Sequence, residues 1–151
     1  MNKGYIGIMD KNLNQKIKKL FEEQRFAVVA TQGKTEPYTN LVSFLGGKDL
    51  KKIYFPTSKD TRKFKNLSEH SRVSILIDNR DNEPVDIEDA MTVTAAGETS
   101  VTRNSEIKYL FLKKHPYLKQ FTNSNDCRMI EISIEKYILV ENFQKVKIID
   151  I

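Results

Sequence analysis

The chain has 151 residues, enough for one domain with a sizeable core, and 39% hydrophobic with 30% charged residues describes a globular protein rather than a disordered or fibrous one. The formal charge is +5, from 25 Lys and Arg against 20 Asp and Glu, which suits an anionic ligand and tolerates nucleic acid without demanding it. No apolar run approaches bilayer-spanning length, and one cysteine with two histidines excludes an internal disulfide and argues against a His/Cys zinc site.

The opening MNKGYIGIMD lacks a signal peptide's apolar region, and the lone Cys127 fits a reducing compartment, so the expected location is cytoplasmic. NLNQKIKKLFEEQ then places Leu13, Ile17, Leu20 and Phe21 at helical spacing, with Asp10 or Asn12 as cap. RFAVVAT, EPYTNLVSFL and KKIYFPT read as three strands of a meander, turning at Gly33-Lys34 and at Gly46-Gly47. A helix over 61–67 follows, then the strand RVSILID. NRDNEPVDIED is an acidic, Pro-containing surface loop over 79–89, whose role the sequence leaves open. AMTVTAAGETSV is strongly β. NSEIKYLFLKKHPYLKQF is helical, with Asn104 as N-cap and a break at Pro116. RMIEISIEKYILVENFQKVKIID alternates and supplies two or three further strands. About seven short strands with a few helices, no repeat and no linker, predict one domain over 1–151: a small antiparallel β-barrel, mainly β in an α+β setting.

The stretch FPTSKDTRKFKNL breaks a local rule. Arg62 and Lys63 fall in the first turn of a helix, where the macrodipole is already positive. Ser58 or Asp60 is positioned to cap that helix, Thr57, Ser58 and Thr61 offer hydroxyls, and the two cations offer a planar fork and a point charge. A phosphate beside these groups would offset the unfavourable cations. The plainer reading is a capped helix with solvated cations. Glycine is absent from the motif, so it is neither a Walker loop nor a dinucleotide fingerprint. The same groups would suit an RNA backbone, but no aromatic-rich RNA-binding signature accompanies them.

With its neighbours, from Phe26 to Asp78 and more weakly through TVTAAGE and the last strands, this segment resembles the FMN-binding split-barrel family of pyridoxamine 5′-phosphate oxidase. The resemblance implies a split antiparallel β-barrel with a few flanking helices. It implies FMN as cofactor, its phosphate held by Arg62 and Lys63 with Thr57 and Ser58 assisting. Asn40, Leu41, Val42 and Ser43 would run along the isoalloxazine ring. Pro56 stands where the family has a flavin-contacting residue, and Thr92 where the oxidase has a glutamine. It also implies a homodimer with flavin at the subunit interface, acting on a small molecule. The ending ENFQKVKIIDI lacks the Arg and His with which the true oxidase meets its substrate, which points instead to flavin reductase-like relatives.

No catalytic side chain is assigned, because hydride transfer to a flavin requires none. His70 and His115 read as helix-end residues, Cys127 as a small hydrophobe at a strand start, and Asp86, Glu88 and Asp89 as a solvated acidic turn rather than a metal cluster. Tyr109, Phe111, Tyr117 and Phe121 read as core or dimer packing rather than a flavin-stacking box, with one of them left open as a cover for the ring. Two other functions stay open: a non-catalytic flavin- or haem-binding protein on the same fold, and a basic barrel that binds nucleic acid. A phosphate cradle alone does not separate FMN from FAD or a deazaflavin.

Overall fold

The computed structural model describes residues 5–151. After the short strand β1 (Tyr5–Gly7), the helix α1 (Lys11–Glu23) starts where the Asp10 carboxylate accepts the Leu13 N–H at 2.8 Å. The spacing of Leu13, Ile17, Leu20 and Phe21 puts all four on one stripe, and all four are buried in the core. The strands are β2 (Phe26–Gln32), β3 (Pro37–Ser43), the two-residue β4 (Leu45–Gly46), β5 (Lys52–Ser58), β6 (Arg72–Asp78), β7 (Thr92–Thr102), β8 (Cys127–Glu141) and β9 (Lys145–Asp150). Between them lie α2 (Arg62–Glu69), the one-turn α3 (Asp86–Asp89), α4 (Ser105–Lys114), a 3₁₀ turn (Pro116–Leu118) and α5 (Lys119–Asn123). The predicted strands and helices are all present. β1, β4 and α3 were not predicted, and each is too short to carry a periodic signal.

The nine strands form one curled sheet, a split β-barrel of the α+β class. The split lies along the 15-residue β8, which runs beside β7 from Met129 to Val140. On its other side the first half pairs with β5 and the second with β9. At the changeover Gly97 lies opposite Ile134 and Ala96 opposite Lys136, so Glu135 is an extra, bulged residue. The inward side chains shift phase there, from Ile130, Ile132 and Ile134 to Tyr137 and Leu139. Gly97 is required at this point: a Cβ would lie 1.9 Å from the Ser133 carbonyl oxygen. Inward residues of β2 (Ala27, Val29), β6 (Val73, Ile75, Ile77) and β7 (Val93, Ala95) complete the core around α1.

The turn after β4 holds Leu50 at φ 59, the left-handed region, which costs a non-glycine residue about 1–2 kcal/mol. The Leu50 side chain is buried and its carbonyl accepts the Tyr137 hydroxyl at 2.6 Å, which offset that cost. In the acidic loop, the Asp86 carboxylate accepts the N–H groups of Asp81 and Glu83. These bonds hold its carboxyl below the usual range.

Going round the barrel from β3 through β2, β6, β7 and β8 to β5, every neighbour is hydrogen-bonded. β3 and β5 then face one another with no ladder between them among the described residues. Pro56 fits this arrangement: with no N–H to donate, proline belongs on a strand edge, and here β5 is an edge.

Candidate functional site

The gap between β3 and β5 is a cleft of about 270 Å³. Leu41, Val42 and Ser43 form one wall, and Pro56, Thr57 and Ser58 the other. Thr61 and Lys63, from the start of α2, close one end, and Leu118 and Phe121 stand over it. The structure therefore brings seven of the sequence-predicted residues together: Leu41, Val42, Ser43, Pro56, Thr57, Ser58 and Lys63.

The cap of α2 is Thr61, neither Ser58 nor Asp60. Its hydroxyl accepts the Phe64 N–H at 3.2 Å and donates to the Ser58 carbonyl at 2.9 Å. With that proton committed, the 3.0 Å contact between the Thr57 and Thr61 hydroxyls has Thr57 as donor. The first-turn N–H groups of Arg62 and Lys63 have no acceptor within the helix, as for any helix N-terminus.

Lys63 lies against the cleft with 9% of its surface exposed, and among the described residues it makes no ion pair. Burial pushes its ammonium below the usual lysine range. Arg62 points elsewhere. It pairs with Glu36 at 2.6 Å and lies over the Tyr38 ring, 4.5 Å from the centroid. The hydrogen bond from the Thr35 hydroxyl, and then Arg62 itself, hold the Glu36 carboxyl below its usual range. Asn40 is also outside the cleft lining, and its Oδ1 is buried without a hydrogen-bond partner among the described residues. Thr92 begins β7 opposite Val140, at the far end of β8 from Met129, which faces Pro56. Within one chain Thr92 does not meet the cleft.

Sequence reasoning missed Glu36 and Tyr38, which meet Arg62 only because the β2–β3 turn folds beside α2. It also missed Leu118 as a cleft residue, and of the four aromatics it left open as a cover for the ring, Phe121 is the one at the cleft. The break at Pro116 was the available signal that this segment leaves α4 and crosses the barrel mouth. His115 ends α4 as expected and is fully buried. Its Nε2 donates to the Phe44 carbonyl at 2.8 Å, so its Nδ1 accepts the Tyr117 hydroxyl at 2.9 Å. His70 caps the end of α2 and is exposed. Cys127 opens β8 half-buried, and burial pushes its thiol up. Among the described residues no three His, Cys, Asp or Glu converge as for a metal, and no helix is long and apolar enough to cross a membrane.

The architecture is shared with solved structures. The heme-binding protein of Mycobacterium smegmatis superposes with a TM-score of 0.81 at 14% identity, over 95% of this chain and 60% of that one. General stress protein 26 of Bacillus anthracis superposes with a TM-score of 0.74 at 17% identity, over 93% and 99%. A Clostridium acetobutylicum protein of the pyridoxinephosphate oxidase family, related to general stress protein 26 of B. subtilis, gives 0.74 at 16%, over 95% and 97%. At such identities the likeness is one of fold. No curated protein matches the chain in sequence. The family model for pyridoxamine 5′-phosphate oxidase matches residues 13–141, and the chain therefore belongs to the pyridoxamine 5′-phosphate oxidase family.

Proposed function

We propose that the chain binds FMN in the β3–β5 cleft and acts as a flavin-dependent oxidoreductase on a small molecule, working as a homodimer. The observation that carries this reading is Lys63: a buried cation, unpaired among the described residues, facing a cleft rimmed by hydroxyls. Burying an unpaired ammonium is unfavourable, and a phosphate in the cleft is the compensation the surroundings allow. The residues present fit that group. Lys63 supplies charge, Thr57 turns its single proton from Thr61 to the phosphate, and Ser58 supplies a second hydroxyl. Thr61 keeps the Phe64 N–H when Thr57 turns away, so the cap survives. Arg62 reaches the same phosphate by leaving Glu36, an exposed pair weakened by solvent.

The outer edge of β3, over Asn40, Leu41, Val42 and Ser43, has no strand partner among the described residues, so its backbone groups are available to the polar rim of a ring. Bound there, a flavin would supply the hydride and electron chemistry, and the chain supplies position and charge. β9 carries neither Arg nor His, so that strand offers no contact from either to pyridoxamine phosphate.

A volume of about 270 Å³ lies below the range of roughly 300–1,000 Å³ typical of pockets that enclose a ligand. One chain thus offers a half-site, and the second wall is assigned to a second copy. Leu41, 68% exposed, and Phe121 at the mouth support this. Thr92 can contribute only from that second copy. A haem-binding role, as in the mycobacterial relative, finds less support: among the described residues no His, Cys, Met or Tyr lines the cleft to ligate iron.

The test is FMN affinity by fluorescence quenching, with mass spectrometry of the small molecule that copurifies. Lys63→Met should weaken FMN binding about 10- to 100-fold, the scale of a lost charge-assisted hydrogen bond. Arg62→Ala should cost less, and the double variant should release FMN. Unchanged affinity in the double variant overturns the assignment. Bleaching of the bound flavin by NAD(P)H separates an oxidoreductase from a carrier.

A further inference from the structure

A second cleft, of about 390 Å³, opens on the other side of the β3–β4 junction. Its floor is apolar: Phe21 and Leu50 are almost fully buried, and Gly46 packs so closely on the Phe21 ring that a Cβ would lie 2.5 Å from it. Its rim is cationic, with Lys18 on α1, Lys48 in the β4–β5 turn and Lys114 at the end of α4, opposed by Glu22 alone. Among the described residues none of these three lysines makes an ion pair. Elsewhere Lys16, Lys19, Lys52 and Lys59 each have a carboxylate partner.

Lys114 is placed by the fold. Its ammonium donates to the Phe21 carbonyl at 2.7 Å, one of the last-turn carbonyls that α1 leaves open, and lies 4.1 Å from the centroid of the Phe44 ring. An ammonium has three N–H donors, so others remain for the cleft.

We propose that this cleft is a second ligand site, separate from the flavin cleft, for a small molecule with an apolar body and a phosphate or carboxylate group. The apolar body would cover Phe21 and Leu50, and the anion would sit among Lys18, Lys48 and Lys114. The volume lies within the range of small-molecule pockets, which favours a compact ligand over a polymer. Burial, and then the neighbouring Arg25, push Lys114 down to about 8, and an anion beside it would raise it again and favour the ammonium form.

The experiment is an NMR titration of the full chain with phenyl phosphate. Backbone amide shifts are read at Gly46, Gly47 and Lys48 for this cleft, and over 57–63 for the flavin cleft. Saturable shifts at 46–48 are expected, with inorganic phosphate at least ten-fold weaker. Lys18→Glu with Lys48→Glu changes two exposed side chains and should weaken phenyl phosphate at least ten-fold at 46–48, leaving FMN affinity unchanged. No saturable shift at 46–48, equal binding by inorganic phosphate, or undiminished binding by the double variant overturns the proposal. Shifts at 46–48 with an oligouridylate but not with phenyl phosphate also overturn it, and make the patch a nucleic-acid surface.

Discussion

Arg62 and Lys63 are adjacent in the chain and meet different surroundings. At 3.6 residues per turn, neighbours on a helix point about 100° apart, so a cradle that uses both must recruit one of them. The structure has Lys63 in the cleft and Arg62 on Glu36 and Tyr38. The pairing of Arg62 answers half of the problem posed by cations in a first helical turn, because a carboxylate is supplied from the β2–β3 turn. Lys63 is the other half, and its depressed pKa has a consequence under the proposed function. FMN binds the protonated form, so affinity should fall as pH rises through the Lys63 pKa of the free protein, which lies below the usual lysine range. Binding isotherms between pH 7 and 10 check this, and affinity independent of pH over that range goes against a phosphate at Lys63. At the same scale, Gly97→Ala puts a Cβ into the backbone of Ser133 and Ile134, where the nearest atoms include no side chain that could yield. A loss of about 3 kcal/mol in stability by chemical denaturation is expected.

Among the elements, α4 shows how packing reassigns a residue. His115 read as a helix-end residue, and it is one, but it is also the pin that fixes α4 to the β3–β4 junction through the Phe44 carbonyl. Burial, the largest influence, lowers its pKa. The folded state therefore binds fewer protons than the unfolded chain just below the usual histidine pKa of about 6.5. The resulting stability is complete above about pH 6.5 and is lost as pH falls toward the folded pKa. His115→Gln should flatten this acid-side slope, measured as the denaturation midpoint between pH 5 and 7.5. An unchanged slope would mean that other groups set it. β8 gives the converse case. Its inward Ile130, Ile132 and Ile134, followed by Tyr137 and Leu139, carry a one-residue phase shift that is legible in the chain. Alternation alone reads it as a strand boundary, whereas the structure keeps one strand and bulges Glu135.

For the whole molecule, the unclosed seam between β3 and β5 matters most, since it leaves two strand edges facing one another across a cleft. Under the proposed function this cleft, with Leu41 exposed beside it, is completed by a second copy. Sedimentation velocity should show a dimer. Leu41→Glu, at an exposed position whose loss does not disturb the core, should shift it to monomer and weaken FMN binding together. A monomeric native protein that retains FMN overturns the shared site.

The resemblance of one stretch to a known family implied the split-barrel class, and the sequence by itself determined the main strands and helices. Those depend on periodicities, caps and turn residues that act within a few positions. Only the tertiary structure decided which of the two cations enters the cleft, that Glu36 and Tyr38 take Arg62, and that Lys18, Lys48 and Lys114 share a rim. These are meetings of residues distant along the chain, set by how the sheet curls and where it splits, and no local pattern encodes such a meeting.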